Sequence, residues 1–156
     1  MARQAAAIRH VLGHHGAVVE SAAWLHDIGY AAPLVASGFH PLDGARHVRD
    51  LAFGDRRLWT LVAHHTCALI EAEERGLGEA LATEFPIGDV DRFAVAALTY
   101  CDMTTGPDGQ PLDAEQRIAE ILTRYPPDHV VHRSISRAAP SLRAQVDEVS
   151  AIVEAA

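Results

Sequence analysis

Apolar residues recur at intervals of three and four along almost the whole chain, the spacing that places them on one face of an α-helix. The pattern predicts a first helix over 3–12, closed by Gly13-His14-His15-Gly16. A second runs over 17–28, with Val18, Ala22, Leu25 and Ile28 on one face and Gly29 at its end. After a loop holding Pro33, Gly38 and His40, Pro41 opens a third helix to about Phe53. Asp55 caps a fourth to about Thr66. The polar stretch 71–75 predicts a short exposed helix before Gly76. Beyond Pro86-Ile87-Gly88, residues 89–102 form a strongly apolar helix, and helices over about 112–124 and 137–154 complete the chain. No stretch of useful length alternates as a strand would, and there is no repeat or low-complexity linker. The expected fold is all-α, a compact helical bundle of six to eight helices in a single domain over 1–156.

Composition narrows the chemistry. A chain of 156 residues that is 49% hydrophobic can bury one core. Its apolar runs are shorter than the roughly 20 residues of a bilayer span, and the N-terminus lacks a signal-peptide core, so a soluble cytoplasmic protein is expected. Cys67 and Cys101 stand alone, without the spacing of a thiolate zinc site. The net charge of −8 and the absence of any basic run argue against polymeric nucleic acid as a partner. All 13 basic residues are arginine, which removes lysine-based imine chemistry and the lysine of a phosphate-binding loop.

The ten histidines are the contrasting feature. His26-Asp27 lies at the end of an apolar helix, where burying an imidazole beside a carboxylate costs several kcal/mol unless a partner compensates. A divalent metal is such a partner. His40 at the start of helix three, His64-His65 near the end of helix four, and Asp102 at the end of the apolar helix could each project from an element end toward a common centre.

The ordered set His26-Asp27-Ile28-Gly29, His40-Pro41-x-x-Gly44, His64-His65 and Asp102 resembles the HD-domain superfamily of metal-dependent phosphohydrolases over most of the chain. The resemblance implies that His26, Asp27 and Asp102 hold a first metal and that Asp27 bridges to a second. His40 and one of His64 and His65, with His64 preferred, would complete that second site. It implies one or two divalent ions such as Mn²⁺, Fe²⁺ or Zn²⁺, and catalysis through His26 and Asp27 by way of metal-activated water. The implied reaction is hydrolysis of a small phosphate ester, a nucleotide or related metabolite. Arg46, Arg49, Arg117 or Arg133 would orient the phosphate, and the loop hydroxyls of Thr104 and Thr105 would sit at the rim. On helical spacing alone, the arginines are equally readable as solvated residues, Arg46 and Arg49 pairing with Asp43 or Asp50, and the threonines as ordinary turn residues.

One departure from the family pattern bears on mechanism. Members carry a histidine on the first helix, level with His26. His26 lies nine residues past Ala17, about 14 Å at 1.5 Å per residue, and the matching place before the turn falls among Met1 to Gln4, none a good metal ligand. The first family helix thus reads as truncated at its N-terminus, or the vacancy is filled by water or substrate, or the chain is a non-catalytic metal- or nucleotide-binding relative. The same ligand order also serves di-iron oxygenases of small diols or phosphonates on this scaffold. Ala-rich helices such as 137–156 are suited to pairing in a homodimer.

Overall fold

The computed structural model describes residues 1–156 and is all-helical. Its α-helices are α1 (Ala2–Ile8), α2 (Gly16–Leu25), α3 (His40–Asp50), α4 (Arg56–His64), α5 (Ala68–Glu74), α6 (Gly78–Glu84), α7 (Arg92–Met103), α8 (Ala114–Arg124) and α9 (Val130–Glu154). Short 3-10 turns link them, and the only strand-like pairing is an isolated bridge between Thr105 and Pro111.

Aspartates start three of these helices. Asp55 accepts from the Arg57 amide at 2.9 Å, Asp91 from the Phe93 amide at 2.7 Å, and Asp113 forms a reciprocal capping box with Gln116. Each satisfies an amide that the first turn leaves without a partner.

Helix α7 is the hub. Ala94, Ala96, Ala97, Leu98, Thr99, Cys101 and Met103 are all buried, so it is covered on nearly every side, packing chiefly on α9 and also on α2 and α1. The cover of α3 against α4, α5 against α6, and α8 against α9 completes one continuous apolar cluster. Large side chains such as Leu98, Met103, Leu142 and Phe85 are fully buried, each contributing about 1.5–3 kcal/mol.

Two stretches differ from the sequence expectation. The polar region after His65 forms α5 and α6 as two docked helices, through Ala72 and Leu81, which are fully buried. Helix α9 starts at Val130 and runs through Pro140, although proline removes one backbone donor. Buried Ile135, Ala138, Ala139, Leu142, Val146 and Val149 hold it continuous against α7 and α8. No helix is long and apolar enough to cross a membrane.

Candidate metal centre

Three element ends meet at one place. Helix α2 stops at Leu25, so His26 caps it and Asp27 begins a 3-10 turn over Ile28–Tyr30. His40 opens α3, and His65 directly follows α4. That 3-10 turn packs closely on α3: a Cβ placed on Gly29 would lie 2.1 Å from the His40 carbonyl oxygen, and one on Gly44 would lie 3.0 Å from the Gly29 amide. The two glycines of the motif thus let two backbones touch and bring Asp27 and His40 together.

The ligand atoms of Asp27, His40 and His65 all lie within 4.8 Å of one another. His40 Nε2 is 3.4 Å from Asp27 Oδ1 and 3.1 Å from His65 Nε2, while His26 Nε2 is 3.0 Å from Asp27 Oδ2. Backbone carbonyls orient two of these rings. His65 Nδ1–H donates to Val62 O at 2.8 Å, which leaves its Nε2 lone pair facing the centre, and His26 Nδ1–H donates to Ala23 O at 3.1 Å. A carboxylate and three imidazoles therefore converge, two of them, His26 and His40, placed to hydrogen-bond the carboxylate. That donor set fits a cation.

The electrostatics agree. Burial pushes the Asp27 carboxyl up, but hydrogen bonds from His26 and His40 outweigh it and hold the group well below the usual carboxylate range. Burial pulls His26 down, and the hydrogen bond to Asp27 with the charges of Asp102 and Asp27 more than reverses this. His65 is fully enclosed, and burial, reinforced by His40 and His26, keeps its imidazole neutral, the form that ligates.

Beside the centre opens a cavity of about 270 Å³ whose lining includes Asp27, His40, His65, Asp102, Arg117 and Ser134. Asp102 is not in the close group: its Oδ2 accepts from the Thr66 hydroxyl and its Oδ1 lies 3.9 Å from the Arg117 guanidinium. Thr66 and Cys67 have φ of 51° and 58°, so the chain turns through left-handed conformations immediately after His65. For a β-branched threonine this costs about 1–3 kcal/mol. The strained residue is the one that holds Asp102.

Several expected site residues lie elsewhere. His64, preferred over His65 on the resemblance, is buried facing away, donating Nε2–H to Phe85 O at 2.7 Å; a one-residue step around the end of α4 separates the two roles. Arg46 and Arg49 grip Glu84 of α6, each with a 3.0 Å contact, and Arg49 also pairs with Asp50 at 3.1 Å. Neither lines the cavity. Thr104 and Thr105 turn their hydroxyls back to Tyr100 O and Cys101 O, both at 2.7 Å, and face a separate groove with Trp24 and Met1 to Gln4. Arg133 is paired with Glu74. Helix α1 supplies no imidazole or carboxylate, and Gln4 instead donates to the Tyr100 hydroxyl at 3.2 Å.

Other lining residues carried no sequence signal of function. Tyr30 stacks on His40 with ring centroids 3.9 Å apart and planes 17° from parallel, and Thr66, Ser134 and the α9 wall enter through tertiary packing. Val131, Ser134, Ile135 and Ala138 share one face of α9, most of it in the turns that precede the helix expected over 137–154.

No family model, curated protein or solved structure matches the chain. The chemistry of the site therefore rests on its own geometry.

Proposed function

We propose that this protein is a metal-dependent phosphohydrolase acting on a small phosphate ester, in keeping with the resemblance of its motifs to the HD-domain superfamily. The observation that carries the reading is the convergence of Asp27, His40 and His65, with His26 alongside, at the floor of a cavity. Mixed imidazole and carboxylate ligation suits Mn²⁺, Fe²⁺ or Zn²⁺. Such an ion supplies Lewis acidity toward a phosphoryl oxygen and activates water at neutral pH. Asp27 would hold it in charge and His40 and His65 in direction, with the Val62 carbonyl fixing the His65 ring. Arg117, in the wall near Asp102, would orient the phosphate.

Elemental analysis of the purified protein tests the reading. We expect one or two equivalents of a transition metal, lost in Asp27→Ala, and metal-stimulated release of phosphate from a small phosphomonoester. Iron with O₂ uptake and no phosphate release would instead assign an oxygenase.

A second reading draws on one observation, that α1 contributes no ligand. A metal- or nucleotide-binding module without turnover would bind the ion and release no phosphate with any divalent metal.

A further inference from the structure

The cavity beside the metal centre is finished in a way that hydrolysis alone does not explain. Four buried side-chain polar atoms in the protein lack a hydrogen-bond partner, and two of them, Arg117 Nε and Ser134 Oγ, belong to residues of this one lining. Ser134 is 2% exposed. An unsatisfied buried donor costs about 1–3 kcal/mol, and a fold that bears two at one wall has a reason to.

Several other polar groups of the lining are already committed. Thr66 is bonded to Asp102, Glu71 to Arg75 at 2.8 Å, and Arg124 to Glu120 at 3.0 Å. Between and beside them Ile121 on α8 and Val131, Ile135 and Ala138 on α9 form an aliphatic wall, and no asparagine or glutamine lines the cavity. No side-chain amide is therefore present to read the edge of a nucleobase, and the rest of the lining includes the aromatic rings of Tyr30 and Tyr125. The room, about 270 Å³, also falls below the roughly 300–1000 Å³ of pockets for drug-sized ligands.

Charge sets a condition on entry. Arg117 and Arg124 face Asp27, Asp102 and Glu71, two cations against three anions. One divalent ion at the centre turns that balance from −1 to +1, so an anion is repelled before the ion binds and attracted after.

We propose that Arg117 and Ser134 form the recognition end of this cavity, and that it takes a phosphomonoester whose organic part is small and apolar, an alkyl or aryl group in place of a nucleoside. This rests on the phosphohydrolase reading for the phosphate and goes beyond it for the rest of the substrate. The Arg117 guanidinium, already beside Asp102, meets a phosphoryl oxygen, the Ser134 hydroxyl donates to a second acceptor of the ligand, and the α8–α9 wall covers the apolar part.

Calorimetric titration with phenylphosphonate, which has no ester bond to hydrolyse, tests this against inorganic phosphate and adenosine 5′-monophosphate, with and without Mn²⁺. With Mn²⁺ the phenyl compound should bind at least tenfold more tightly than either competitor. Ser134→Ala and Arg117→Gln should each weaken it about tenfold or more, the loss of one charge-assisted hydrogen bond. Because the Ser134 hydroxyl has no partner in the free protein, Ser134→Ala should keep or raise Tm, whereas a structural hydroxyl would lower it and leave affinity alone. Adenosine 5′-monophosphate binding as tightly as phenylphosphonate, unchanged affinity in a folded Ser134→Ala, or no binding of any probe overturns the proposal. A protein that takes up no metal yet binds phenylphosphonate through Ser134 would keep this subsite and remove the hydrolase reading.

Discussion

Gly29 has no room for a methyl group. Its Cβ would fall 2.1 Å from the His40 carbonyl oxygen and 2.7 Å from the Gly44 amide, both backbone atoms that cannot swing aside. Gly29→Ala should therefore destabilise the fold by about 1–3 kcal/mol in urea unfolding and, by pushing α3 from Asp27, weaken metal binding at least tenfold. A variant with native metal affinity would mean that the contact does not position His40. From sequence Gly29 reads as the stop of helix two, yet α2 ends at Leu25 and the glycine serves a contact with a residue 11 positions further on. The motif was legible and its reason was not, because close approach of two backbones leaves no mark in spacing. The preference for His64 over His65 does not match the geometry: one residue apart at the end of α4, the two rings face opposite ways, His64 to Phe85 O and His65 to the centre, and spacing alone does not say which face turns inward.

Among the elements, the segment between the 3-10 turn at Ile28–Tyr30 and α3 has few apolar contacts of its own and is pinned by Asp43. That buried carboxylate accepts from the Ala36 and Ser37 amides at 3.0 Å and from the Ser37 hydroxyl at 2.8 Å. Burial pushes its pKa up, and these hydrogen bonds outweigh it, holding the group below its ordinary value of 3.8. A depressed folded-state pKa gives stability that is fully present above the unfolded value and is lost as pH falls through the folded one. Asp43→Asn should thus cost about 1–3 kcal/mol at pH 7, and the gap to wild type should close as pH drops below about 4. A gap independent of pH would show that the amide, not the charge, matters. The Asp55 cap made α4 readable to within a residue of its start, since an aspartate followed by helix formers is a local instruction. Helix α6 and the first two turns of α9 were not readable. Their stability comes from docking on α5 and α7, which no local pattern encodes.

At the scale of the whole molecule, the candidate ligands come from the end of α2, the start of α3 and the end of α4. An ion held there would tie the ends of three helices together. Binding to the folded state only, at a hundredfold excess over Kd, adds about 2.7 kcal/mol. For a chain of this size that is a rise in Tm of roughly 5–11 °C, measurable by differential scanning calorimetry, reversed by EDTA and absent in Asp27→Ala. An unchanged Tm would mean that the three residues do not share an ion. The all-α class was legible from periodicity, and the helix ends that carry the centre were close to their expected places. The cavity was not, because its far wall is built by α8 and α9, some 50 to 110 residues from the ligands they face.

That separation orders events during synthesis. Asp27, His40 and His65 all lie in the first 65 residues, whereas Arg117 and Ser134 leave the ribosome only after α7, the central helix, has been made. A nascent chain thus holds all three candidate ligands before the α8–α9 wall that would face a substrate has been made. On the proposed reading, the centre would stay open to bulk water and to any phosphate that diffuses past until α9 docks, and discrimination would begin only then.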